Sequence, residues 1–105
     1  MPMETMSEAL QRLARAGYAD EYRAVPEGLW ARSDGLVYPP HGFRVEEIVR
    51  FEGESDPSEE AAIFALTRTS DGSKGTYTVA FGTLMDPLDG DLVERLSGHA
   101  GLPSD

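Results

Sequence analysis

Residues 61–81 read AAIFALTRTSDGSKGTYTVAF, and this stretch decides the fold. Two runs rich in apolar, β-branched and aromatic side chains flank Asp71-Gly72. That pair is typical of two-residue hairpin turns, because both central positions of a type I′ turn have positive φ. A turn of this kind places Phe64 opposite Val79. The sequence therefore predicts an antiparallel hairpin centred on this turn.

The predicted hairpin, with strands Ala61 to Thr69 and Gly75 to Leu84, separates its side chains by size. One face carries the large apolar side chains of Phe64, Leu66, Tyr77, Val79 and Phe81. The other face, called here the small face, carries Ile63, Ala65, Thr67, Thr76, Thr78 and Ala80. A slip of one residue would mix the two sets, so the size pattern supports both strands.

Amphipathic helices are predicted near both ends of the sequence. Thr5 and Glu8 have the spacing of a capping box, and the apolar side chains that follow recur at the helical period as far as Gly17. Further along, leucines recur at every fourth position within Pro87 to Ser97, which predicts a second, shorter helix.

Strand signals are weaker between the first helix and the hairpin. Prolines and glycines interrupt residues 18–43, which predicts short strands separated by loops. Residues 45–52 are predicted as a further strand, in which Val45 and Val49 share a face and Glu47 breaks the alternation.

The predicted fold is therefore α+β, with an N-terminal helix, an antiparallel meander of three to four strands and a short C-terminal helix. The chain is predicted to be a single domain over residues 1–105. Both helices are expected to cover the face with the large side chains. Those side chains need burial, whereas an antiparallel sheet tolerates water on its other side.

Composition excludes several classes of function. Nine basic against nineteen acidic residues give a net charge of −10, which repels the phosphates of nucleic acids. No cysteine is present and the two histidines lack a metal-binding spacing, so no metal or cofactor is predicted. The sequence starts without signal-peptide features, and its longest apolar run, Ala61 to Leu66, is far shorter than a membrane span. We therefore expect a cytoplasmic protein with no membrane partner.

Four side chains are candidates for binding a small anion. Arg50 and Glu52 share one strand face, where the arginine fork suits a carboxylate or phosphate; pairing with a neighbouring glutamate is the alternative. Lys74 supplies a second cation after the hairpin turn. His41 lies in a proline-rich loop, as either a general base or an exposed histidine. No set of catalytic residues is recognisable, so the sequence leans away from an enzyme.

The small face is the predicted contact surface. A purely solvated face would carry charges, but this one has none, and its threonines and alanines suit close approach by another surface. Either a second copy of the chain or the irregular residues 25–43 would cover it. The favoured function is a small binding or regulatory module that acts by protein contact or self-association. The alternative is a ligand-binding protein or enzyme for a phosphorylated or carboxylated metabolite.

The segment VEEIVRFEG at residues 45–53, followed by Asp56-Pro57 and Asp71-Gly72, resembles a family of small bacterial proteins. Many members of that family carry the label phosphoribosylpyrophosphate synthetase. The resemblance implies a small α+β domain with no assigned activity. This sequence lacks the acidic strand and the Thr-Gly-Gly-Thr-like phosphate loop of phosphoribosyl-binding proteins, so the label itself is not supported.

Overall fold

The structure, a computed structural model, describes residues 4–51, 61–80 and 86–99, with only the backbone for 97–99. Within these ranges the chain forms two α-helices and a six-stranded mixed sheet. The helices are α1 (Met6–Arg15) and α2 (Pro87–His99). The strands are β1 (Asp20–Val25), β2 (Gly28–Ala31), β3 (Val37–Tyr38), β4 (Phe43–Phe51), β5 (Ala61–Arg68) and β6 (Lys74–Ala80), with a 3₁₀ turn at Pro40–Gly42 before β4.

The strand order is β3-β2-β1-β6-β5-β4, in which β1 and β6 run parallel and all other neighbours run antiparallel. The α+β class is confirmed. The predicted sheet of three to four antiparallel strands is wrong, because a second meander, β1 to β3, joins β6 through the parallel pair. That pairing links segments far apart in the chain, and local periodicity carries no signal for it.

Gly75 lets β1 lie this close to β6. Asp20 is its partner across the parallel ladder. A Cβ atom at residue 75 would lie 2.6 Å from Cε2 of Tyr22 and 2.8 Å from the carbonyl oxygen of Asp20. A side chain at this position would therefore force the two strands apart.

Helix α1 begins as the sequence predicts. The hydroxyl oxygen of Thr5 accepts a hydrogen bond from the Glu8 amide at 3.1 Å, and the Glu8 carboxylate accepts one from the Thr5 amide at 2.9 Å. This reciprocal pair satisfies two amides that the first helical turn leaves without partners. Ala9 and Leu13 form the buried side of the helix.

The β5–β6 hairpin exists, but its predicted register is wrong by two residues. Phe64 pairs with Tyr77, and Val79 pairs with Ala62. A shift of two residues keeps the described side chains on their predicted faces, because side chains alternate with a period of two. Phe81 and the predicted strand end as far as Leu84 lie outside the described residues. The separation of large and small side chains therefore holds although the pairing does not.

A longer turn explains the shift. The carbonyl of Arg68 accepts from the Gly72 amide at 2.8 Å, while the Arg68 amide donates to the carbonyl of Ser73 at 2.7 Å. Gly72 and Ser73 therefore both lie opposite Arg68, in a β-bulge. The first residue of the bulge, Gly72, has a φ of 76°. The loop before the bulge holds three residues instead of two.

The two helices cover opposite faces of the sheet. Helix α2 packs on the face with the large side chains, where Leu92 and Leu96 are fully buried. Helix α1 packs on the small face, over Ile63 and Ala65. The expectation that both helices cover the large face is wrong. The small side chain of Ala65 leaves room for α1 to lie close to the sheet.

A bulge in β4 changes which of its apolar side chains share a face of the sheet. The pairing with β5 breaks between Val45 and Glu47. Val45 and Ile48 consequently join the cluster beneath α2, whereas Val49 and Phe51 join the cluster beneath α1. The prediction that Val45 and Val49 share a face is wrong, because the bulge adds one residue between them.

Gly75→Ala is expected to lower the free energy of unfolding by about 2–3 kcal/mol, because the new methyl group overpacks the β1–β6 contact. Gly72→Ala is the matched control: its φ is positive, but no atom lies within 4 Å of the added carbon. That change should cost only about 1 kcal/mol of backbone strain. Urea denaturation measures both values, and equal losses would contradict this account of the parallel pair.

Candidate functional site

The structure does not bring the predicted anion-binding side chains together. Arg50 is exposed and pairs with Ala62, on the α2 side of the sheet. Lys74 lies on the α1 side, with its Nζ 5.2 Å from the centre of the Tyr18 ring. Along the strands their positions differ by about 17 Å. His41 is exposed in the 3₁₀ turn, and Glu52 lies outside the described residues.

The small face is covered at one end and open at the other. Ile63 and Ala65 are completely buried beneath α1. Thr67 and Thr76 are also buried, and the Thr67 hydroxyl donates to the Glu46 carboxylate at 2.8 Å, which lowers the pKa of Glu46. Thr78 and Ala80, by contrast, are exposed on β6. Residues 25–43, one predicted cover, form sheet strands and the 3₁₀ turn instead.

The uncovered surface continues from β6 across the second meander. In β1, β2 and β3, every second residue faces α2. Because side chains alternate along a strand, the residues between them lie on the α1 side. This surface, the open half-face, consists of Arg23, Val25, Trp30, Val37, Thr78 and Ala80. None of these residues belongs to the apolar cluster beneath α1.

The β2–β3 side of the open half-face is apolar. Trp30 is partly exposed and pairs with Val37, a residue that is 43% exposed. A groove of about 350 Å³ runs beside them and is lined by Arg23, Ala24, Val25 and Trp30. The surface therefore combines an aromatic side chain, a shallow groove and small neighbours.

The basic side chains of this surface lie within it and at one end. Arg23 lies beside Trp30, whereas Arg32 and Lys74 lie at the amino ends of β1 and β6 together with Asp20 and Glu21. Glu21 lies 3.8 Å from Arg32, and both side chains are well exposed. Arg23 forms no ion pair with any residue that the structure describes. Three of the nine basic residues thus lie together in a chain of net charge −10.

A polar groove of about 490 Å³ lies at the amino ends of β1 and β6. Its lining residues are Ala19, Asp20, Glu21, Arg32, Ser33, Ser73 and Lys74. The Asp20 carboxylate accepts from the Ser33 hydroxyl at 2.8 Å and from the amides of Glu21 and Ser33. The hydrogen bonds from Ser33 therefore use the Asp20 carboxylate to stabilise the loop after β2.

Arg68 holds the hairpin turn from within the structure. Only 6% of the residue is exposed. Its Nη2 donates to the Asp71 carboxylate at 2.7 Å and to the Ser73 hydroxyl at 3.1 Å, and its guanidinium lies 4.0 Å from the centre of the Tyr38 ring. An arginine next to a polar turn is typical of an exposed position, so the sequence carries no signal for this buried cluster.

Two buried tyrosines differ in how their hydroxyls are satisfied. Burial raises the pKa of Tyr22 to about 12, and its hydroxyl has no hydrogen-bond partner among the described residues. Burial also raises the pKa of Tyr77, but its hydroxyl donates to Asp89 at 2.5 Å. This bond ties β6 to the first turn of α2.

The described residues hold no group of three or more histidine, aspartate or glutamate side chains that would bind a metal ion. Neither α1 nor α2 is long and apolar enough to cross a membrane, and no other α-helix is described. The chain matches no protein-family model, and no curated protein or solved structure is significantly similar to it. The resemblance of residues 45–53 therefore stays a prediction, and the geometry carries the functional argument.

Tyr22→Phe is expected to leave the free energy of unfolding unchanged or to raise it by up to about 1 kcal/mol, because it removes a buried hydroxyl without a partner. Tyr77→Phe should lower it by about 1.5–3 kcal/mol, because the bond to the Asp89 carboxylate is lost. Thermal and urea denaturation compare the pair. A larger loss for Tyr22→Phe would contradict the assignment of the unsatisfied hydroxyl.

The hydrogen bond from Arg68 holds the pKa of Asp71 well below its usual range. A depressed pKa contributes stability above the unfolded-state value of about 4 and loses it as the pH falls below that value. Asp71→Asn should therefore destabilise the protein at pH 6, and its deficit against the parent should shrink towards pH 2. A deficit that is independent of pH between these values would show that the ion pair contributes no stability.

Proposed function

We propose that the protein is a binding module that acts by protein contact, and that the open half-face is its contact surface. The observation that carries this proposal is the position of Trp30. It is the only tryptophan of the chain, and it lies partly exposed on a sheet face that α1 leaves open. Tryptophan is enriched among the side chains that dominate binding energy at protein interfaces.

The surroundings of Trp30 support contact rather than solvation. Thr78 and Ala80 are short side chains, so another surface can approach the sheet closely there. On the covered half of the same face, Ile63 and Ala65 lie directly beneath helix α1. The open half is therefore a surface that another element can approach closely.

The charge pattern favours a different protein over a second copy of this chain. In a two-fold symmetric dimer the same surface meets itself. Arg23 and Arg32 of both copies would then lie in one interface, where like charges that come into contact cost several kcal/mol. A partner with negative charge meets no such repulsion, so self-association is the weaker form of the proposal.

Ligand binding in the polar groove is the second candidate function. Lys74 and Arg32 line that groove, which supports a small anion such as phosphate or a carboxylate. Asp20 and Glu21 line it as well, so it offers no net positive charge. A rise in melting temperature with millimolar phosphate would favour this candidate over protein contact.

A photo-reactive amino acid at Thr78 tests the contact function in cells. Thr78 is exposed on the open half-face, and Glu94, exposed on α2, provides the matched control position. The proposal predicts discrete protein adducts from position 78 and none from position 94. Circular dichroism of both variants checks that each keeps the fold.

The contact function would be rejected by an absence of adducts from position 78. It would also be rejected by the same adducts, in equal yield, from positions 78 and 94, since such capture does not depend on the surface.

A further inference from the structure

We infer that the open half-face binds an acidic amphipathic helix of a partner protein, laid beside α1. This inference rests on the proposed contact function and names the chemistry of the partner. It is carried by the width of the open surface, by the apolar pair on its β2–β3 side and by the reversal of charge between the two halves of this face.

The open surface is one helix wide. Helix α1 packs over β5 and reaches β6, and among the described residues no member of β1, β2 or β3 belongs to the apolar cluster beneath it. Neighbouring strands lie about 4.8 Å apart, so the uncovered strip measures about 10–14 Å across. An α-helix with its side chains is about 10–12 Å in diameter. A single helix fills the strip and would lie next to α1.

The β2–β3 side of the strip suits the apolar stripe of a helix. Trp30 and Val37 form a cross-strand pair there, and Val25 lines the adjacent groove. On the covered half, α1 meets the sheet with Ala9 and Leu13, one helical turn apart. A partner helix would meet Trp30 in the same way, with apolar side chains at helical spacing.

The covered half shows how this fold pairs charge between helix and sheet. Arg12 on α1 donates to the Glu47 carboxylate on β4 at 3.0 Å, so the helix supplies the cation and the sheet the anion. On the open half the signs are reversed, because the sheet supplies Arg23 without an ion-pair partner among the described residues. A helix that completes this half must supply carboxylates.

The same charges argue against other occupants. A second copy would add its own Arg23 and Arg32 to the same interface. A nucleic acid would meet a chain whose net charge is −10. A short acidic helix brings only a few charges, and these would lie against Arg23 and Arg32. Its repulsion from the rest of the chain is therefore smaller than that of a nucleic acid.

Fluorescence of Trp30, the only tryptophan of the chain, gives a direct binding test. The probe is a designed peptide of about four helical turns with leucines on one face and glutamates on both flanks. Two matched peptides replace the glutamates by lysines or scramble the order. We expect the acidic peptide alone to bind the parent protein, with a shift of the Trp30 emission.

Charge reversal makes the test specific. Arg23→Glu should weaken binding of the acidic peptide at least tenfold and should favour the lysine peptide. Arg50→Glu is the control, since Arg50 is exposed on the opposite face and the variant has the same net charge. It should leave the affinity of the acidic peptide within twofold. Circular dichroism verifies that both variants fold.

The inference is overturned by three results: no shift of Trp30 with the acidic peptide, equal binding of the scrambled or lysine peptide, or equal effects of Arg23→Glu and Arg50→Glu. Adducts at Thr78 that map to a basic segment, or to a second copy of this chain, would overturn it as well while leaving the contact function standing. An absence of adducts at Thr78 would instead reject the contact function, so the two failures differ.

Discussion

The short parallel ladder between β1 and β6 is the constraint on which the rest of the structure depends. It joins two antiparallel meanders into one sheet. The ladder exists because Gly75 has no side chain, so the Asp20 backbone and the Tyr22 ring can approach β6. The Tyr22 ring then packs edge-on against Phe43 of the edge strand β4, with ring centres 5.0 Å apart. One close backbone approach thus sets both the width of the sheet and the packing at one end of its larger core.

The width of the sheet makes its two faces unequal. Every strand contributes to the apolar cluster beneath α2, so the core on that side extends across the whole sheet. Helix α1 has ten residues and covers only the half formed by β4, β5 and part of β6. None of the described residues of β1, β2 or β3 belongs to the apolar cluster beneath α1. The open half-face is therefore a consequence of geometry, and Trp30 with its basic neighbours gives it a chemistry suited to contact.

The placement of charge separates the candidate functions. Arg50 and Lys74 would have to converge on one ligand in an enzyme for small anions, but they lie on opposite faces of the sheet. Arg23 and Arg32 instead border one continuous surface in a chain that is strongly acidic. Local positive charge of this kind selects partners by electrostatic complementarity. This placement of charge supports the proposed contact function.

The sequence by itself determined the features that depend on neighbours in the chain. Thr5 and Glu8 predict the start of α1, and the alternation in β5 and β6 predicts which side chains share a face. Tertiary structure decided the rest, because its causes are distant in sequence. Arg68 stabilises a longer turn that shifts the hairpin register. Gly75 lets β1 pack closely enough to pair in parallel with β6, because it has no side chain. The side of the sheet that each helix covers, and hence the exposure of Trp30, follows only once all six strands have assembled.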